Sequence, residues 1–61
     1  MKGKSFKQTR KALKMSQADL AKVLGVTVTA VARWERGERP ISGPVALAMT
    51  LLLERKRQGE K

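Results

Sequence analysis

The side chains best suited to specific contacts in this 61-residue chain crowd into one stretch, where Thr27, Val28, Thr29, Arg33 and Arg36 follow one another at spacings of one to four. Their chemistry is recognition: hydroxyls and guanidinium groups donate hydrogen bonds, and a valine presses on an apolar group. Covalent chemistry has no foothold. Histidine and cysteine are absent, and no metal-ligand cluster or pair of carboxylates is visible, so the reading excludes an enzyme. Zinc sites and disulfides are excluded with them, and no cofactor is expected. The chain carries 14 Lys and Arg against 5 Asp and Glu, a net charge of +9, with a pI of about 11.1. Residues 1–18 hold Lys2, Lys4, Lys7, Arg10, Lys11 and Lys14 and no acid. Such an excess suits a polyanion, either nucleic acid or an anionic membrane surface.

Four helices are expected to position these residues, in an all-α fold. The first covers about residues 5–14, with Ser5 as its cap and Phe6, Thr9 or Arg10, and Leu13 sharing a face. The second covers 17–24. Ser16 caps it and Asp19, three residues on, completes a capping box with a shorter acid than usual. Leu20, Ala21 and Leu24 form its inner face. Gly25 stops it, because only glycine enters the left-handed conformation at low cost. Thr27 caps a third helix over 28–36, where Val31 and Trp34 point inward and Gly37 ends the run. Pro40 and Pro44 frame a loop. Ser42 is placed to cap a fourth helix over 43–57, whose last turn gathers Arg55, Lys56 and Arg57. The tail after residue 57 is expected to fray. At 61 residues the chain reads as one domain, with a core too small to be strongly stable without tight packing or self-association. No apolar run approaches the ~20 residues of a membrane span, and the N-terminus has no apolar stretch of a signal peptide.

Residues 17–36 meet the separate demands of a helix-turn-helix. A steep crossing needs a small side chain, supplied by Ala21. The turn needs freedom from Cβ strain, supplied by Gly25. The second helix needs an apolar residue facing back, supplied by Val31. Leu20, Leu24, Val26 and Trp34 fill the wedge between them. The segment resembles the Cro-like, or Xre-type, helix-turn-helix family of phage and bacterial regulators. The match lies in Ser16-Gln17, Leu20-Ala21, Leu24-Gly25-Val26-Thr27, Val31 and Arg33-Trp34-Glu35-Arg36-Gly37, within residues 10 to about 41. The resemblance implies a small lambda-repressor-like domain of four helices, or five with a short extra turn, that binds double-stranded DNA in the cytoplasm, at the nucleoid. It also implies a structural ion pair between Arg10 and Glu35.

In such a domain the third helix enters the major groove N-terminus first. Arg33 can then reach guanine O6 and N7 with two donors, Thr29 can bond a base edge, and Val28 can press on a thymine methyl. Phosphate contacts are expected from Ser16 and Gln17 at the start of the second helix, from Thr27, and by charge from Arg36, Arg39, Lys11 and Lys14. Ala30 and Glu38 depart from the family pattern, which usually has a hydroxyl at the first position and a basic residue at the second. Ala30 is therefore expected to cost one polar contact to the DNA backbone, and Glu38 to shift the loop's grip onto Arg36 and Arg39.

Residues 45–53 read VALAMTLLL, with Thr50 alone interrupting the apolar run. One helix face suffices to close a small core. The surplus implies a second copy, with Val45, Met49, Leu52 and Leu53 as the expected dimer interface on a palindromic operator whose half-sites lie ~34 Å apart. The leading function is a repressor acting by promoter occlusion and regulating its own operon, in a phage or mobile-element setting that includes anti-CRISPR loci. An antitoxin that binds a toxin partner as well as DNA is the alternative. A non-specific RNA binder is disfavoured, since a lone Phe and a lone Trp offer no stacking platform.

Overall fold

The computed structural model describes residues 1–59, which form four helices: α1 (Gly3–Ala12), α2 (Gln17–Leu24), α3 (Val28–Glu35) and α4 (Gly43–Gly59). The fold is all-α, with no strand among the described residues. Helix α2 packs on α3, and α1 packs on both α3 and α4. Phe6, Leu13, Leu20, Ala21, Ala30, Val31, Trp34 and Met49 make the core, with Phe6, Leu20, Val31 and Met49 fully buried. Burying each of those four stabilises by roughly 1.5–3 kcal/mol. The Phe6 and Trp34 rings meet at 5.7 Å and 57°, a tilted contact that joins α1 to α3.

Three helix ends close in the same way. The amide of Val26 reaches the Ala21 carbonyl, that of Glu38 the Arg33 carbonyl, and that of Met15 the Arg10 carbonyl. Each closure needs a left-handed residue just before the donor. Gly25 (φ 70°) and Gly37 (φ 75°) serve two of them, and Lys14 (φ 57°) serves the third. Both expected caps of the helix-turn-helix are in place. The Ser16 Oγ accepts from the Asp19 amide at 3.0 Å while the Asp19 carboxylate accepts from the Ser16 amide, and the Thr27 Oγ1 accepts from the Ala30 amide at 3.1 Å.

Several boundaries differ from the sequence reading. Helix α1 begins at Gly3, with Lys2 and not Ser5 at its cap, and ends at Ala12 because the chain turns left-handed at Lys14. Ser5 lies inside the helix, where its carbonyl accepts from the Thr9 hydroxyl at 2.9 Å. Gly3 permits this early start. A Cβ there would stand 2.5 Å from the Trp34 carbonyl oxygen and 2.9 Å from that of Glu35, so the first turn of α1 lies directly on the end of α3. Helix α3 ends at Glu35, one residue early, and α4 continues to Gly59. Gln58 and Gly59 are thus helical and not frayed, while Glu60 and Lys61 lie outside the described residues.

The largest correction concerns α4. Met49, expected at a dimer interface, is fully buried, and Val45, Leu52 and Leu53 are partly buried against the same core. They close the protomer itself. At 100° per residue, Leu47 and Leu51 lie on the opposite side of the helix from Met49. Those two are 60% and 49% exposed.

Candidate nucleic-acid interface

Helix α3 divides cleanly by angle. Ala30, Val31 and Trp34 fall on its inner arc and are buried, while Val28, Thr29, Arg33 and Arg36 fall on the outer arc and are exposed. Ala32 lies between these outward residues and is half-buried. The face is therefore a row of methyl, hydroxyl and guanidinium groups on a helix anchored from behind by the core. Ala30 corrects the sequence reading. It is 8% exposed and belongs to the inner arc, so no outward contact is lost by the absence of a hydroxyl there.

The helix starts add donors around this row. A hydroxyl that accepts a capping bond keeps its own hydrogen to give. Ser16 and Thr27 both accept from backbone amides, so each keeps an O–H to donate at a helix N-terminus. Those N-termini also carry the positive end of the helix dipole, which suits an anion.

Behind the row lies a polar network that ties three helices together. Arg10 Nε donates to Glu35 Oε2 at 2.5 Å and Arg10 Nη2 to Glu35 Oε1 at 3.3 Å, a two-pronged pair. The side chains are 12% and 5% exposed. Arg10 Nη1 also donates to the Met15 carbonyl at 2.9 Å, which fixes the loop between α1 and α2. Gln17 Nε2 donates to Glu35 Oε1 at 3.1 Å. Burial pushes the Glu35 carboxyl up, but hydrogen bonds from Arg10 and Gln17, with the charges of Arg10 and Lys7, outweigh it and hold its pKa below the ordinary value. Gln17 is thus shared: one of its two amide hydrogens holds Glu35 and the other remains for a ligand. Neither this bond nor the action of Lys7 on Glu35 is legible from residue spacing, since both depend on how α1, α2 and α3 are brought together.

The remaining basic candidates are less tightly placed. Arg36 Nε donates to Glu38 Oε2 at 3.0 Å, with both side chains more than half exposed. The acid at position 38 therefore draws Arg36 toward the loop, through a bond that solvent weakens. Arg39 lies in the loop after α3, Lys11 on α1 and Lys14 in the turn that follows it, all exposed. Charge relates these three to the α3 face.

Among the described residues no group of acidic side chains could hold a metal ion, and no helix is long and apolar enough to cross a membrane. A family model described as helix-turn-helix matches residues 6–58. Repressor protein C2 of Salmonella phage P22 is 38% identical over 52 residues, which is 85% of this chain and 24% of that protein. The chain therefore spans about a quarter of the length of this curated relative. No solved structure matches. With the motif, its caps and its outward-facing row in place, the chain belongs to the Cro/C1-type helix-turn-helix family of DNA-binding regulators, not to an enzyme family.

Proposed function

We propose that residues 1–61 act as one sequence-specific, double-stranded DNA-binding unit of a transcriptional repressor, working at the nucleoid as a homodimer on an inverted-repeat operator. The observation that carries this reading is the exposed row Val28–Thr29–Arg33 on a helix whose other side is buried in the core. Arg33 reads a guanine edge, and Thr29 and Val28 read neighbouring positions, as major-groove geometry allows. Ser16, Gln17, Thr27, Arg36, Arg39, Lys11 and Lys14 hold phosphates. The net charge of +9 supplies the attraction that does not depend on sequence. The similarity to a protein named as a repressor favours repression, and occlusion of the promoter of the chain's own operon is the form proposed for it.

Selection of bound sites from random duplex DNA tests the whole reading. The expected product is an inverted repeat with half-sites about one helical turn, ~34 Å, apart. A pool that stays unbiased would overturn sequence-specific binding. Two variants then separate the roles. Arg33→Ala is expected to cost ~1–3 kcal/mol and to relax preference at one position, whereas Arg39→Ala weakens all sequences alike and flattens the salt dependence by about one unit. A uniform loss for Arg33→Ala would remove it from base readout.

A further inference from the structure

Glu38 stands where an acid serves neither the fold nor a contact with phosphate. Of the five acids in the chain, Asp19 closes the capping box of α2, Glu35 is held by Arg10 and Gln17, Glu54 lies on the exposed side of α4, and Glu60 is outside the described residues. Glu38 borders the outward row of α3. In a continuous helix, residues two apart do not face each other. The left-handed turn at Gly37 (φ 75°) changes that, and the Glu38 amide, donating to the Arg33 carbonyl at 3.0 Å, pins the reversed chain to the last turn of α3. The backbone thereby delivers the Glu38 carboxylate to Arg36, whose Nε donates to Oε2 at 3.0 Å. We infer that this pair is a clasp that keeps Arg36 from phosphate until α3 is seated in a matching groove, so that Glu38 raises the discrimination between the operator and other DNA. The inference rests on α3 as the groove-entering helix and adds a residue that the proposed contacts do not use.

Three observations carry it. First, the pair does little for stability. Its side chains are 61% and 53% exposed, where an ion pair contributes least, and the carboxylate sits at the negative end of the α3 dipole. The effect of the acid is therefore felt when a polyanion arrives. Secondly, Arg36 occupies the far end of the row. At 100° per residue it falls between Val28 and Arg33 on the outer arc, but about 12 Å along the axis from Val28. A helix that enters the groove N-terminus first brings that end to the phosphates last. Thirdly, the row itself is left alone. Among the described residues neither side chain of the clasp bonds to the side chain of Val28, Thr29 or Arg33.

The clasp then acts differently on the two kinds of DNA. On the operator, base contacts seat α3 and bring a phosphate onto Arg36, and breaking an exposed pair costs little. On other sequences α3 is not seated, the clasp stays closed, and Glu38 cancels the charge of Arg36. Binding there rests on charge alone, so one cation withheld matters. For a chain of net charge +9, this lowers attraction to the many sites that are not the operator.

The test measures affinity for a duplex recovered by selection and for a scrambled duplex of the same length and composition, over a range of salt. Glu38→Gln is expected to melt as the parent does. It should bind the scrambled duplex about fivefold more tightly, with a salt dependence steeper by about one unit per bound copy. On the selected duplex the gain should be about twofold or less, with the slope unchanged. Equal gains on both duplexes would overturn the role in discrimination, and no gain on either would overturn the clasp. Two further variants separate the clasp from net charge. Glu54→Gln makes the same change of charge on α4 and should leave both affinities close to the parent's. In an Arg36→Gln background, Glu38→Gln should lose most of its gain on the scrambled duplex. A full gain in that background, or an equal gain from Glu54→Gln, would show that charge alone is at work and would overturn the clasp. A parent that binds both duplexes alike would instead overturn sequence-specific binding, and the Arg36→Gln comparison would still decide whether Glu38 acts through Arg36.

Discussion

In the helix-turn-helix, short-range chemistry closes every joint: Ser16 and Asp19 start α2, a left-handed Gly25 ends it, and Thr27 starts α3 three residues before its bonding partner. Along α4 the chain offers no such local instruction. An almost unbroken apolar run is divided into an inner side, with Met49 at 0% exposure, and an outer side, with Leu47 at 60%, only by what packs against it. The contrast teaches that the DNA-facing unit is specified by residues close in sequence, whereas the helix behind it takes its orientation from contacts distant in sequence.

The sharpest way to break this contrast is to attack the one long-range tie on which the helix-turn-helix does depend. Glu35→Gln leaves the Arg10 guanidinium largely buried without its charge partner and should cost about 3–5 kcal/mol, read as a fall in thermal midpoint of well over 10 °C. A midpoint equal to the parent's would remove the pair from the fold's support. The same carboxylate sets an acid limit. Its pKa is lowered on folding, so its contribution is complete above the ordinary value of 4.5 and is lost as pH falls through the folded-state value. Denaturant titrations from pH 7 downward should show that loss in the parent and a flatter profile in Glu35→Gln.

Met49→Ala probes the inner side of α4 and should destabilise by about 2–5 kcal/mol, as expected for a large core side chain reduced to a methyl. If it melts like Leu47→Ala on the outer side, the division of α4 into two faces is wrong. Gly3→Ala follows at about 1–3 kcal/mol, because the new Cβ would meet backbone oxygens of Trp34 and Glu35 that cannot swing aside. The smallest effect has the opposite sign. Lys14→Gly relieves the one left-handed turn not served by glycine and should raise stability by up to ~1 kcal/mol in a thermal melt.

What could be read from the sequence follows the same division. The capping box, the Gly25 turn and the inward Val31 and Trp34 depend on neighbours within a few positions, and residue types at fixed spacing report such relations directly. The resemblance to a known family supplied the Arg10–Glu35 pair, which spacing alone does not. The role of Gly3 is not legible in the sequence, because it is a close approach to Trp34 and Glu35, far along the chain, and a glycine near a terminus reads as slack. The phase of α4 is not legible in the sequence, because eight apolar residues in nine leave nearly every side of the helix reading as inward. For Ala30 the family pattern points outward, whereas its place on the arc it shares with Trp34 and Val31 buries it in the core.

Gln17, holding Glu35 with one hydrogen and keeping the other, has a consequence for how such a protein diverges. The network that fixes the three helices ends at Arg10, Met15, Gln17 and Glu35, and none of its bonds reaches Val28, Thr29 or Arg33. On the proposed assignment those three side chains can be exchanged, singly or together, with little effect on stability. One scaffold can then be retargeted to many operators by rewriting three letters, and a library varied only at 28, 29 and 33 would remain almost entirely folded.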